Sequence, residues 1–256
     1  MLSEAQIATY HEKGYVVPDY RLSQATLERI RADHDALLAK YPEFRDNCSA
    51  LLNYDLGFLN YARDPAILDM AEQVIGPDIC LWNMSFFAKP ALNGKKTPYH
   101  QDGEYWPIQP LATCTVWIAI DEATEENGCL KYIPGSHKDN RLMAHEVKPD
   151  ADYTLNRELA KSEYDESLAE NLILPAGGMA LHDVYIAHGS EENRSAKPRR
   201  GMTLRLMPTT SVYDRELATR RHAERGGFDM SHHSIFLLRG KDVSGGNDFC
   251  VRTPPQ

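Results

Sequence analysis

The sequence predicts an α+β fold, with helices first and a strand-rich core after them. Up to about residue 78, apolar residues recur at helical spacing between capping residues. From about 79 the apolar runs become short and are broken by Gly, Pro and Asn. Across all 256 residues there is no Gly/Ser- or Pro-rich linker, charge block or solenoid-length repeat, so one domain over 1–256 is expected.

The helical part reads in three pieces. Ser3 and Gln6 form a capping-box pattern, Ile7 and Tyr10 share a face, and Gly14 is placed to close the first helix. Tyr15, Val16 and Val17 read as a short strand before Pro18. Ser23 caps a longer helix striped by Leu27, Ile30, Leu37 and Leu38 and ended by Pro42. Asp64-Pro65 opens a third, with Ile67, Leu68, Ala71, Val74 and Ile75 inside and Gly76-Pro77 as the stop.

Strands are expected near 80–89, 98–101, 112–121, 129–133, 171–175, 178–183, 185–188 and 200–207, within a core of about 79–207. Pro175-Ala176-Gly177-Gly178 and Glu126-Asn127-Gly128 read as tight turns. Many short strands after a helical start predict a β-sandwich or open barrel packed against helices. The polar segment 136–170 is an insertion long enough to serve as a lid. The tail, 208–256, carries little readable pattern.

Composition excludes several classes of function. The 42% of hydrophobic residues can fill a sizeable core. A net charge of −9 opposes nucleic-acid binding, which needs a basic surface. The start, MLSEAQIATYHEKGY, has no signal-peptide apolar run and no stretch reaches membrane-spanning length, so no membrane partner is expected. Five scattered cysteines without a CxxC fit reduced thiols in a cytoplasmic protein.

Chemistry is concentrated in YHQDGEYWPI at 99–108 and AHGSEENRSAKPRR at 187–200. The first holds His100 and Asp102; the second holds His188 and, eleven positions on, Arg199. Two imidazoles and one carboxylate leave metal positions open, as in non-haem Fe(II) oxygenases, and an arginine fork suits the far carboxylate of a keto acid. His-x-acid alone is weak, since roughly 1.4 such pairs arise by chance from 10 histidines and 37 acidic residues. His137/Asp139 sits after a turn and reads as solvated; His222/Glu224 sits on a charged helical face. His182 is a competitor, because alternation within one long strand would put it on the His188 face. The arginine spacing favours His188.

Alternation in 200–207 turns Met202, Leu204 and Leu206 outward to the helices, and Arg199, Gly201, Thr203 and Arg205 inward. An arginine inside a barrel needs an anion; a structural pair with a buried acid is the competing explanation. Arg200 falls on the other face. Tyr105 and Trp106 are candidates for an apolar substrate wall, and Lys89, Arg205 and Arg141 for contacts to an anionic group of the substrate.

These segments, in order, resemble the phytanoyl-CoA dioxygenase family of Fe(II)/2-oxoglutarate oxygenases. The matching pieces are Lys89-Pro90 with Lys95-Lys96-Thr97, HQD at 100–102, the aromatic run to Pro107, TVWIAID around Trp117, ENGCLKYIPGSHK at 126–138, PAGG at 175–178 and HGS at 188–190 leading to Arg199. The resemblance covers roughly 79–206. It implies a double-stranded β-helix (jelly-roll) core, iron held by His100, Asp102 and His188, and the 2-oxoglutarate distal carboxylate held by Arg199. By position it implies Ser190 and Trp117, with Ser85 or Gln101, as further co-substrate contacts. Halogenating relatives replace the metal-binding carboxylate; Asp102 is present, so hydroxylation of a small molecule with dioxygen is expected. A metal enzyme that ignores the keto acid and a non-catalytic binding module of the same fold remain as alternatives. The family name carries no substrate, and the oligomeric state is not legible.

Overall fold

The computed structural model describes residues 1–226 and 228–252. Its first three main helices follow the sequence reading. Helix Glu4–Lys13 is closed at its start by the reciprocal Ser3–Gln6 capping box and at its end by Gly14 at φ 86°. Helix Gln24–Lys40 is capped by Ser23, and Pro65–Ile75 by Asp64, which accepts from the Ala66 and Ile67 amides. Between the second and third lie short turns the sequence did not reveal: 3₁₀ segments at Pro42–Arg45, Leu51–Asn53 and Leu56–Phe58, and a helical turn at Leu59–Ala62.

Two antiparallel sheets follow, making the chain α+β. The larger runs Tyr15–Val16, Met179–Asp183, Cys114–Ala119, Arg199–Pro208, Ile79–Lys89, Phe236–Arg239, with Asn47–Cys48 also on Ile79–Lys89. The smaller runs Glu170–Leu172, Leu130–Tyr132, His188–Ser190, Thr97–His100. Outward residues of the larger sheet, Met84, Phe86, Val116, Ile118, Met202, Leu204 and Leu206, share one buried core with Leu27, Ile30, Leu37, Ile67 and Met70 of the helices. Burying an aliphatic side chain contributes about 1.5–3 kcal/mol, so this interface fixes which face of the sheet is left to face inward.

A bulge adjusts that inner face. Arg205 pairs with Asn83 but Leu206 pairs with Leu81, so Trp82 is an extra residue on its strand. Trp82 packs instead on Trp106 and Tyr213 in a separate buried cluster at that end of the sheet.

Several expectations need correction. The chain does not continue as a strand over 185–188: it turns after Asp183 and resumes as His188–Ser190 in the other sheet. His182 and His188 therefore belong to different sheets, not to one strand face. His137 is buried, not solvated, with its Nε2 3.1 Å from the His11 carbonyl and its ring against Gly14. The 136–170 segment contains an antiparallel ribbon, His145–Val147 with Arg157–Leu159, and the tail contains helix Arg215–Arg225 and strand Phe236–Arg239. Among the described residues no helix is long and apolar enough to cross a membrane.

Candidate metal centre

Register builds the site. Across the smaller sheet His188 stands opposite both His100 and Tyr132. Across the larger sheet Thr115 stands opposite both His182 and Arg205, and Arg205 opposite Asn83. Side chains of both rows enter the space between the sheets. Tyr132 Oη lies 2.8 Å from His182 Nδ1, tying one row to the other.

Asp102 lies just beyond the Thr97–His100 strand, in a 3₁₀ turn over Asp102–Glu104. Ligand atoms of His100, Asp102 and His188 all lie within 4.8 Å of one another, and all three residues are buried. His100 Nδ1 is 2.8 Å from the Pro98 carbonyl and His188 Nδ1 is 3.0 Å from that of Ile186. A carbonyl only accepts, so each Nδ1 carries the proton and each Nε2 is left with a lone pair for the metal. Burial holds the His188 imidazole well below its ordinary pKa, keeping it neutral and ligand-competent. Burial works the other way on Asp102, yet the neighbouring His100, the hydrogen bond from His182 and the charge of Arg205 keep its carboxyl well below the usual range.

His182 is no competitor. Its Nε2 lies 3.3 Å from Asp102 Oδ2, and Thr115 Oγ1 donates to the same oxygen at 3.4 Å. It holds the carboxylate from behind. This role was hidden in the sequence, because it depends on a strand order that brings the 179–183 segment across from Asp102.

Arg199 is buried to 1% exposure, with Nη1 donating to the Phe87 carbonyl at 3.1 Å and its guanidinium 5.4 Å from the Trp117 ring centre. Among the described residues it has no carboxylate within ion-pair distance, and its Nε has no partner. Burial draws it down to about 10, so it stays charged at neutral pH. The competing explanation, a structural salt bridge, therefore fails. Ser190 Oγ and Thr203 Oγ1 are also buried without partners on inward-facing strands. Orphaned buried polar atoms and an arginine without an acidic partner are what an anionic co-substrate would satisfy. Thr203 was not singled out from the sequence, although its inward register was. Arg200, on the outer face, pairs with Asp121 at 2.8 Å and with Asp35 at 3.2 Å.

A cavity of about 880 Å³ reaches the site. His100, Asp102, Arg205, Tyr105 and Trp106 line it, with Asn47 and Ser49, the ribbon residues Val147 and Arg157, and Arg221, His222 and Arg225 of the tail helix. Long-range packing brings the last groups in, so no local signal marked them as cavity residues. Glu104 joins them, bound by Arg157 at 3.1 Å and Arg225 at 2.9 Å.

Four expected contacts are corrected. The Gln101 amide is consumed by backbone: Nε2 donates to the Arg141 and Tyr185 carbonyls and Oε1 accepts from the Met143 amide, leaving nothing for a keto acid. Ser85 accepts from Arg205 Nη1 at 2.9 Å and donates to the Ser49 carbonyl, so it serves Arg205 rather than Arg199. Lys89 faces inward but beside Arg199, where its Nζ donates to the Lys95 carbonyl, and it does not line the cavity. Arg141 pairs with Glu163 at 2.9 Å, away from the cavity.

The profile of the phytanoyl-CoA dioxygenase (PhyH) family matches residues 10–201. A zebrafish (Danio rerio) phytanoyl-CoA dioxygenase domain-containing protein 1 is 31% identical over 167 residues, 64% of this chain and 57% of its own length. A Caenorhabditis elegans homologue of that protein is 35% identical over 214 residues, covering 78% of this chain and 74% of its own length. This chain thus spans little more than half of the zebrafish protein. The non-heme monooxygenase ThoJ, in its apo form, superposes with a TM-score of 0.75 over 98% of this chain and 88% of its own, at 22% identity. With its profile matched across three quarters of the sequence, the chain belongs to the phytanoyl-CoA dioxygenase family.

Proposed function

We propose that this chain is an Fe(II)- and 2-oxoglutarate-dependent dioxygenase that hydroxylates an unactivated C–H of a small organic molecule, releasing succinate and CO2. The observation that carries this reading is the buried His100–Asp102–His188 cluster with both Nε2 lone pairs free. The strand order supports a double-stranded β-helix acting as one domain, with the ribbon in 136–170 as its cover.

When bound, the iron and the keto acid supply the oxidising power. The residues supply the rest. His100 and His188 bind through Nε2, and Asp102 adds the one anionic protein ligand while His182 and Thr115 hold its other oxygen. Arg199 fixes the distal carboxylate of 2-oxoglutarate, with Trp117 against the guanidinium and the unpartnered Ser190 hydroxyl as a further contact. Tyr105 and Trp106 form the apolar wall against which the substrate lies. Among the described residues Arg199 has no acidic partner, which disfavours a metal enzyme without the keto acid. The intact ligand set disfavours a retired binding module.

Solved structures of the same fold carry the names carbocyclase and epimerase, so the product must be identified. Iron-loaded protein would be screened for succinate formation stimulated by carboxylic acids, amino acids, phosphonates and acyl thioesters under labelled dioxygen. We expect one label in succinate and one in a hydroxylated product. Succinate coupled to an unlabelled, rearranged product would overturn hydroxylation. Substrate-stimulated oxygen consumption that is unchanged by adding 2-oxoglutarate would overturn the co-substrate.

A further inference from the structure

Arg205 is the second buried arginine of the inner face, and it differs from Arg199 in opening onto the cavity beside His100 and Asp102. It is 7% exposed, donates Nη1 to Ser85 Oγ at 2.9 Å, and leaves Nε without a partner. Three aromatic rings enclose it, Trp82, Phe87 and Trp106, with centres 5.8, 5.7 and 5.1 Å from the guanidinium carbon. Cation–π contacts of this kind offset part of the desolvation of a buried charge and supply no counter-charge.

No carboxylate lies within ion-pair distance of Arg205 among the described residues. The acid it feels most is Asp102, which the proposed iron would claim. A divalent metal is then matched by Asp102 and by the near carboxylate of the keto acid, and Arg199 by the distal one. Among the described residues Arg205 then keeps an uncompensated positive charge beside the metal ligands; Arg221, on the same cavity, is bonded to the Trp106 carbonyl. The other acid close to the metal loop, Glu104, is already claimed by Arg157 and Arg225. A buried guanidinium with a free Nε suits an oxyanion, which accepts charge-assisted hydrogen bonds from it.

Resting on the oxygenase reading above, we infer that the substrate is a small organic oxyanion whose charged group docks on Arg205. The carbon oxidised is then close to that group, with the remainder of the molecule against Tyr105 and Trp106. Carboxylates and phosphonates share this chemistry, and the experiment separates them.

Acetate and methylphosphonate are the smallest probes of the two, and acetamide is the neutral control. Each would be titrated anaerobically into protein saturated with Fe(II) and 2-oxoglutarate, following the metal-to-ligand charge-transfer band. We expect a saturable perturbation with acetate or methylphosphonate at least tenfold tighter than with acetamide; the tighter of the two identifies the substrate class. Arg205→Met should abolish the difference between anion and amide, and Arg205→Lys should restore part of it, with the starting band intact in both variants. An equal response to acetamide, or an unchanged anion response in Arg205→Met, overturns the inference. Loss of the starting band in Arg205→Met alone would assign Arg205 to the keto acid and overturn it equally. If wild-type protein forms no band, the oxygenase reading fails first and this inference falls with it.

Discussion

The residues nearest the metal site divide into those that bind and those that hold the binders. His100, Asp102 and His188 present ligand atoms; Pro98, Ile186, His182 and Thr115 orient them. The ligand pattern was legible because His100-x-Asp102 and the Arg199 spacing lie along the chain. The holders were not, since a carbonyl two residues back or a histidine on another strand leaves no mark in spacing. Outer-shell partners of this kind are worth roughly ten- to a hundredfold in metal affinity. We therefore expect His182→Phe to weaken Fe(II) binding by about that factor with the fold retained. Competition against a chelator would measure it, with His222→Ala as a control that stays at the wild-type value. An unchanged affinity in His182→Phe would reduce His182 to packing.

At the scale of elements, the decisive feature is how strand Arg199–Pro208 sits between Cys114–Ala119 and Ile79–Lys89. Its period of two was readable: Met202, Leu204 and Leu206 did turn to the helices, and Arg199, Thr203 and Arg205 inward. Its consequence for Gly201 was not. A Cβ at Gly201 would lie 2.3 Å from the Trp117 ring, so only glycine lets the indole slide under Arg199. Gly201→Ala must displace Trp117, and overpacking of this sort costs about 1–3 kcal/mol. We expect a lower melting temperature together with weaker 2-oxoglutarate binding. A melting point and co-substrate affinity both equal to wild type would show that Trp117 has room the structure does not display. The bulge at Trp82 and the break between Asp183 and His188 escaped sequence reading for a related reason: both are set by partners on neighbouring strands.

Across the whole molecule, helices cover one sheet and leave the space between the two sheets for chemistry. That covering face carries a cost legible only in three dimensions. His34, on helix Gln24–Lys40, is packed on Phe86 with ring centres 4.1 Å apart and neither nitrogen bonded. Burial, reinforced by the charge of Arg200, brings its pKa down to about 4 from an ordinary 6.5. The unfolded chain thus binds a proton the folded chain refuses between those values. Stability is full above pH about 6.5 and falls as pH drops toward 4, by about 3 kcal/mol in all. His233, brought down to about 3 mainly by burial, adds to the same trend. Relative to wild type, the denaturant midpoint of His34→Leu should rise steadily on acidification across this window, because the leucine variant has no such proton to take up and loses less. Parallel curves would mean that His34 takes up its proton without unfolding.

A metal triad and an arginine with no carboxylate partner among the described residues share one interior, and we expect them to act together on one keto acid. Anaerobic titration of 2-oxoglutarate into the Fe(II) protein, read by the charge-transfer band, tests it directly. Arg199→Lys keeps the charge and loses the planar fork, which costs on the order of 1.5–3 kcal/mol, ten- to more than a hundredfold in affinity. Arg200→Lys alters the pairs with Asp121 and Asp35 on the outer face and should leave the titration unchanged. We expect wild type and Arg200→Lys to saturate together and Arg199→Lys to require far more keto acid, with iron binding equal in all three. No band in wild type, or equal affinity in Arg199→Lys and wild type, would contradict it.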